Sequence, residues 1–340
     1  MWRHKSHRPS RVVALGGGNG LPVVLGALRR YLPSECRITA IVTTADNGGS
    51  SGLLRTEYGV LPPGDIRNCL VALAHVAPEI SAALQYRFDG GSAQHPVGNL
   101  FLAALDMVAA DEVTAIRLAA DLLGVKDLVL PSTTRLVHLI ADLVDGRSVH
   151  GESEIPLSGG SIERIRVHPS DVTAAPGVVE ALEEADAVIL GPGSLYTSVL
   201  ATIVVPGVAE AIRNSGGVNI FVCNAMTECG ETDGYDVADH VRAVAAHGVP
   251  AEELDYVIVN TGTIGDRVLA RYAAENAMPV EPFVEGLGPR PIILRADVLE
   301  SGPVVRHAAD KLGPILCDLI AGRPPAPPPV ATADAERARS

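Results

Sequence analysis

Short apolar runs that end in glycine- and asparagine-rich loops recur along this chain, and a helical pattern follows most of them. Val12, Val13, Ala14 and Leu15 form the first run. Gly16-Gly17-Gly18-Asn19-Gly20 follows at once, and Leu21, Val24, Leu25 and Leu28 then repeat at helical spacing over 21–32. Residues 38–44 read as a second strand, β-branched and apolar enough to lie inside a parallel sheet. That strand runs into Asp46-Asn47-Gly48-Gly49-Ser50-Ser51-Gly52. Residues 50–61 read as an irregular loop with one helical turn. Asp65, after Pro62-Pro63-Gly64, is placed to cap a helix that carries Ile66, Cys69, Leu70 and Leu73 on one face. Residues 88–99 form another glycine-rich polar loop. The segment 100–110 is apolar nearly all round, as in a buried helix. A further helix spans 111–123, with Gly124 at its C′ position.

From 128 to 167 the pattern changes to short alternating runs, with Asp145-Gly146 between two of them. This predicts a β-hairpin meander, accessory to the main fold. Helical pattern returns over 176–184. The run 187–190 is a buried strand leading into Gly191-Pro192-Gly193-Ser194, after which a helix resumes near Tyr196 and another covers 208–214. Strand 218–223 leads into Asn224 and a polar loop to Asp233. Helix 237–247 and strand 256–259 follow. Repeated strand–loop–helix units predict an α/β fold with a mainly parallel, doubly wound sheet. The expected organisation is a flexible arm over 1–10 and one α/β domain over 11–322, with its accessory β region at about 128–168. A Pro/Ala-rich, then polar, disordered tail covers 323–340.

A formal charge of −13 argues against a nucleic-acid or anionic-membrane surface. It leaves room for a bound nucleotide, because backbone amides or a metal ion can balance phosphate charge. Cys36, Cys69, Cys223, Cys229 and Cys317 show no CxxC spacing and fit reduced thiols. No apolar run has the length of a membrane span, so a cytoplasmic protein is expected.

The candidate chemistry sits in the strand-end loops. Gly16, Gly17, Gly18, Asn19 and Gly20 can present backbone N–H groups to an anion at a helix start. They do not complete a dinucleotide fingerprint, because Leu21 stands where the third glycine is needed, and no GK[ST] makes them a P-loop. A hydride-transfer enzyme using NAD is therefore disfavoured, and a tight β–α turn with no ligand stays open. Asp46 can accept from a ribose hydroxyl or bind Mg²⁺, or it can simply form a turn. Ser50 and Ser51 can donate to phosphate or cap a turn. Arg67 is a phosphate or carboxylate clamp flanked by Asp65 and Asn68. His95 and Asn99 form a similar polar pair. Gly191, Gly193 and Ser194 make a second anion loop, and Asn224 and Thr227 end another strand at the same sheet edge. There is no HExxH, no zinc spacing and no GxSxG elbow.

Six ordered motifs carry a family resemblance: LGGGNGL (15–21), TTADNGGSSGLLR (43–55), LPPGDIRNCLVALA (61–74), HPVGNLFLAAL (95–105), ADAVILGPGSLYTSVL (185–200) and ETDGYDVADH (231–240). Together they resemble the gluconeogenesis-factor (YvcK-like) family, within the superfamily that holds the CofD-like 2-phospho-L-lactate transferases. The resemblance implies a Rossmann-like fold that binds a nucleotide-containing ligand. In the gluconeogenesis-factor branch it implies a UDP-sugar such as UDP-N-acetylglucosamine, with roles in carbon metabolism, cell shape and peptidoglycan synthesis and no established reaction. It also implies a homodimer with cell-wall or metabolic protein partners. The other branch implies a Mg²⁺-dependent transfer of a phospholactyl group to a deazaflavin. Asn47 departs from the paired acids common to both branches, which leaves Asp46 as the single expected metal ligand at that pair. Glu228-Cys229 departs from a Gln-Pro type pair. Arg306 resembles part of the family's C-terminal signature and is the candidate for a late phosphate contact.

Overall fold

A computed structural model describes residues 10–88 and 95–323. Residues 1–9 of the expected arm, 89–94 of the 88–99 loop and 324–340 of the expected tail lie outside those residues. Seven parallel strands form the main sheet: β1 Arg11–Gly16, β2 Arg37–Val42, β3 Leu128–Pro131, β7 Ala187–Leu190, β8 Val218–Val222, β9 Tyr256–Asn260 and β10 Ile292–Ala296. A three-stranded antiparallel sheet holds β4 His138–Leu143, β5 Ser148–His150 and β6 Ile162–His168.

The main sheet runs β10-β9-β8-β7-β1-β2-β3. The chain begins in the middle at β1, steps outward through β2 to β3, then returns to β7 on the other side of β1 and steps outward the opposite way. Strand order reverses between β1 and β7, and the two glycine loops leave the sheet at that point. In open α/β sheets the crevice beyond the carboxyl ends of strands at such a reversal is where ligands bind.

Alternation along β1 builds the two layers. Val12 and Ala14 face a layer that includes Leu21, Leu25 and Leu28 of helix Gly20–Tyr31, Ile66 and Leu70 of helix Pro63–Leu73, and Leu312 and Leu316 of helix Ala309–Ile320. Val13 and Leu15 face the opposite layer, which also contains Leu139 and Ala141 of β4 and Ile165 and Val167 of β6. With both faces covered, the inner strands need to be apolar on both sides, as their sequences are. Among the described residues no single helix is long and apolar enough to cross a membrane.

Several expectations change. Residues Gly49–Tyr58 form a ten-residue helix rather than a loop with one turn. Its glycines and serines are poor helix formers, but Ser51, Leu54 and Arg55 are buried, so tertiary packing stabilises it. Gly52 is needed there, because a Cβ would lie 1.9 Å from the Asn47 carbonyl oxygen. The next helix starts at Pro63, with Pro62 in the cap position, and Asp65 makes no cap bond. Helix Val97–Val108 buries only Gly98, Asn99, Leu102 and Ala103, while Leu100, Met107 and Val108 are exposed. The accessory β region begins at β4, since β3 joins the main sheet beside β2. Its strand order is β5-β4-β6, with β4 in the centre. Asp111 does cap helix Glu112–Leu122 through the Thr114 N–H, and Gly124 follows with φ 64°.

Candidate functional site

The two glycine loops interlock. A Cβ on Gly20 would lie 2.1 Å from the Pro192 carbonyl oxygen, and one on Gly17 would lie 2.5 Å from Asp65 Oδ2 and 2.6 Å from Thr43 Cγ2. Glycine is required by close approach of the Pro192 backbone at Gly20 and of the Asp65 and Thr43 side chains at Gly17. Gly191 N–H donates to Leu15 C=O at 3.0 Å, holding the second loop against β1. Helices Gly20–Tyr31, Gly49–Tyr58 and Pro63–Leu73 all begin beside this junction without a side-chain cap bond, at Asn19, Gly48 and Pro62. Uncapped first turns leave N–H donors for water or a ligand, at the positive end of each helix.

An acidic corner flanks the first loop. Asp65 Oδ2 accepts the Gly18 N–H at 2.8 Å. Asp46 Oδ1 accepts the Gly48 N–H at 2.8 Å. Glu152, from the turn between β5 and β6, accepts the Asn47 N–H, and Asn47 Oδ1 accepts the Ser153 N–H at 2.9 Å. The accessory sheet thus grips the 46–48 turn and brings a third carboxylate to it. Burial, and then the nearby Asp46, push the Asp65 carboxyl up to about 6 against the Gly18 bond. Burial together with Asp46 and Asp65 raises Glu152 to about 7. Among the described residues no group of three or more His, Cys, Asp or Glu side chains is placed to hold a metal ion. Asp46 and Asp65 remain as a pair of hard oxygen donors. That suits Mg²⁺, which commonly takes one or two carboxylates and completes its shell with water and phosphate.

A hydrogen-bonded relay runs beside this corner. Arg67 Nη1 donates to Asn99 Oδ1, and Arg67 Nη2 donates to Asn68 Oδ1 at 2.9 Å. Asn99 Nδ2 donates to Ser50 Oγ at 2.9 Å, and Ser50 Oγ shares a 2.7 Å bond with His95 Nδ1. Ser50 Oγ can accept from both Asn99 and His95 or donate its own O–H to His95, so the direction of that last bond follows the His95 tautomer. Gly98 lets Arg67 lie across the helix start, because a Cβ there would sit 2.7 Å from Arg67 Cδ. Ser51 Oγ accepts the Gly64 N–H at 3.1 Å.

On the other side of the first loop a cleft is lined by Asn19, Gly20, Gly193, Asn224, Thr227 and Arg306, together with Glu228, Tyr272 and His307. Asn224 Oδ1 and His307 Nε2 are buried here and carry no hydrogen bond within the protein. Burial lowers His307 to about 4, so the ring is neutral. Thr227 is engaged twice by Met278: its N–H donates to Met278 C=O at 2.7 Å, and its Oγ1 accepts the Met278 N–H at 2.9 Å. Glu231 fastens the turn after the second glycine loop, accepting from Tyr196 N–H and Thr197 N–H at 3.3 Å each and from Thr197 Oγ1 at 2.9 Å.

The structure therefore gathers the expected residues into two neighbourhoods with the glycine loops between them. Asp46, Asn47, Ser50, Ser51, Asp65, Arg67, Asn68, His95 and Asn99 stand on the β2 side, where Asn47 and the relay spend their polar atoms on one another or on the fold. Asn19, Gly193, Asn224, Thr227 and Arg306 stand on the β8 side. Sequence reasoning did not single out Glu152 or Tyr272, and it met His307 only as Arg306's neighbour in the C-terminal signature, with no role in the site. Glu152 has no local signal, because its partners lie on the turn after β2. Tyr272 lies on helix Asp266–Ala274, a stretch with no motif. His307 was within reach, one residue after Arg306.

The sequence profile of the family described as 2-phospho-L-lactate transferase CofD matches residues 12–290. A protein named gluconeogenesis factor from Halalkalibacterium halodurans is 42% identical over 313 residues, covering 90% of this chain and 95% of its own. One of the same name from Bacillus subtilis is 39% identical over 314 residues, covering 91% and 98%. A crystal structure of a UPF0052-family protein from Bacillus halodurans superposes with a TM-score of 0.86 at 39% identity, covering 91% of this chain and 99% of that one.

Proposed function

This chain belongs to the CofD family, among its gluconeogenesis factors, and on that premise we propose that it is a cytoplasmic UDP-sugar-binding regulator. Its outputs are carbon metabolism, cell shape and peptidoglycan synthesis, and it acts as a homodimer through cell-wall or metabolic protein partners. The observation that carries the ligand reading is the junction of two backbone loops at the strand-order reversal. Loops 16–20 and 191–194 hold a diphosphate through N–H groups, which needs little basic side-chain charge in a protein of net charge −13. Asp46 meets sugar or ribose hydroxyls, and Arg306 meets phosphate from the rim of the cleft. Calorimetric titration with UDP-N-acetylglucosamine, GDP and NAD tests this. UDP-sugar binding in preference to the other two is expected; no UDP-sugar binding at millimolar concentration sinks the reading.

The acidic corner favours a second reading, a phospholactyl-type transferase. Asp46 and Asp65 would hold Mg²⁺, which would neutralise charge on a leaving phosphate. In this reading Asp65 also fixes the Gly18 amide and Glu152 keeps the 46–48 turn in place. Product formation from a phospholactyl donor and a deazaflavin, abolished in Asp46→Ala, would favour the enzyme over the regulator.

A further inference from the structure

The β8 side of the junction contains a pair of acids that the diphosphate reading leaves unexplained. Glu228 and Glu231 stand on the loop after β8, three residues apart. Glu231 is buried and accepts the three donors of Tyr196 and Thr197 described above. Glu228 lines the cleft, accepts from Asn224 Nδ2 at 3.3 Å, and is hydrogen-bonded to the side chain of Ser194 in the second glycine loop. The charge on Glu228 adds to burial in raising Glu231 to about 7, whereas Glu228, on the cleft wall and bonded to Ser194, is the acid of the pair that an anion in the second loop would meet. Burial acts on both acids in the same direction, raising them above the ordinary range.

A second feature marks this spot as a place for a ligand. Asn224 and His307 are more than nine-tenths buried, line the same cleft, and each leaves a polar atom without a partner. The surrounding groups do not neutralise Glu228. His307 is neutral, and Tyr196 is pushed up by burial and stays neutral. Tyr272 presents a phenol. Asp233 lies further along the same loop, bonded to the Gly230 N–H, and Asp236 and Asp239 bond each other's backbone at the start of helix Val237–Ala246. Arg306 is exposed, and it is the one basic side chain among the described residues lining the cleft.

We propose that Glu228 couples occupancy of the second glycine loop to uptake of a proton: an anion at Gly193 and Ser194 binds only while Glu228 is a neutral carboxylic acid, and the proton comes from solvent. This deepens the diphosphate reading and rests on it. The physical reason is direct. A carboxylate bonded to Ser194 stands within one side chain of the anion's place, in a setting of low polarity where like charges repel strongly. Anion binding then raises the affinity of Glu228 for its proton, and by linkage a proton raises the affinity for the anion.

The test is calorimetry of the full chain with UDP-N-acetylglucosamine and, separately, NAD, whose diphosphate diesters do not titrate near neutrality. Each titration is run at pH 6.5, 7.5 and 8.5 in two buffers of different ionisation enthalpy. Net proton uptake and an affinity that falls several-fold from pH 6.5 to 8.5 are expected. Glu228→Gln, which mimics the neutral acid, should remove that uptake, flatten the pH profile and bind more tightly than the parent at pH 8.5. UDP-sugar binding without proton uptake, or an unchanged profile in Glu228→Gln, overturns the proposal and leaves the UDP-sugar reading intact. Proton-linked binding of NAD with no binding of the UDP-sugar supports the proposal and overturns that reading. No binding of either ligand overturns both. Should Glu228→Gln fail to fold, Glu228→Ala is titrated in the same way: loss of the uptake supports the proposal, and uptake that persists belongs to Asp65, Glu152 or Glu231 and overturns it.

Discussion

Asp65 and Gly18 are 47 residues apart in sequence, and the Asp65 carboxylate accepts the Gly18 amide at 2.8 Å. That bond ties the start of helix Pro63–Leu73 to the first glycine loop. It holds an acid in a place that burial makes unfavourable for charge. The folded protein raises Asp65 from 3.8 to about 6, so it binds the proton more tightly than the unfolded chain does. Between those values the native state carries more protons, and stability falls as pH rises through that window. Above it the penalty is present in full. Asp65→Asn keeps an oxygen for Gly18 and removes the charge. It should be more stable than the parent by about 1–3 kcal/mol at pH 7.5, with the difference shrinking toward pH 4. Urea unfolding at both pH values checks this. A variant destabilised at both would show that the ionised carboxylate is worth more to the loop than its burial costs.

Gly20 and Gly26 lie in one helix and should respond oppositely to alanine. A Cβ at Gly20 meets the Pro192 carbonyl at 2.1 Å, whereas one at Gly26 meets nothing within 4 Å. Gly20→Ala should destabilise by about 2–3 kcal/mol through overpacking, because it drives the loops apart. Gly26→Ala should stabilise by about 0.5–1 kcal/mol through helix propensity. Thermal unfolding of the two variants measures both signs.

The Arg67–Asn99–Ser50–His95 relay should behave as a unit. Asn99→Ala strands a buried guanidinium nitrogen and should destabilise by about 2–3 kcal/mol. Ser50→Ala should cost about 1 kcal/mol. The double variant should fall short of the sum, since removing Asn99 already breaks the bond to Ser50. Additive losses in chemical denaturation would mean that the groups act separately.

The glycine loops were legible because each follows an apolar run directly, and a loop at the end of a buried strand is confined to the sheet edge. Helix Gly49–Tyr58 was not legible, since its composition favours a loop and its helicity comes from contacts of Ser51, Leu54 and Arg55 with distant chain. Segment 100–110 misled in the opposite sense: it is apolar all round, yet Leu100, Met107 and Val108 face outward. The acidic corner was half legible. Asp46 and Asp65 sit in recognisable motifs, but Glu152 arrives through the accessory sheet, where Ser153 meets Asn47 across 106 residues. No local pattern encodes such a meeting. Strand β10, at the edge of the sheet, is only partly buried and lacks the continuous apolar run that revealed the inner strands.

The central claim is that loops 16–20 and 191–194 form one diphosphate cradle. A crystal structure of the protein grown with saturating UDP-N-acetylglucosamine tests it most directly. The diphosphate is expected between the amides of Asn19 and Gly20 and those of Gly193 and Ser194, with part of the ligand in the cleft beside Asn224 and Arg306. A diphosphate bound away from that junction, or an empty junction in crystals grown at saturation, would contradict it.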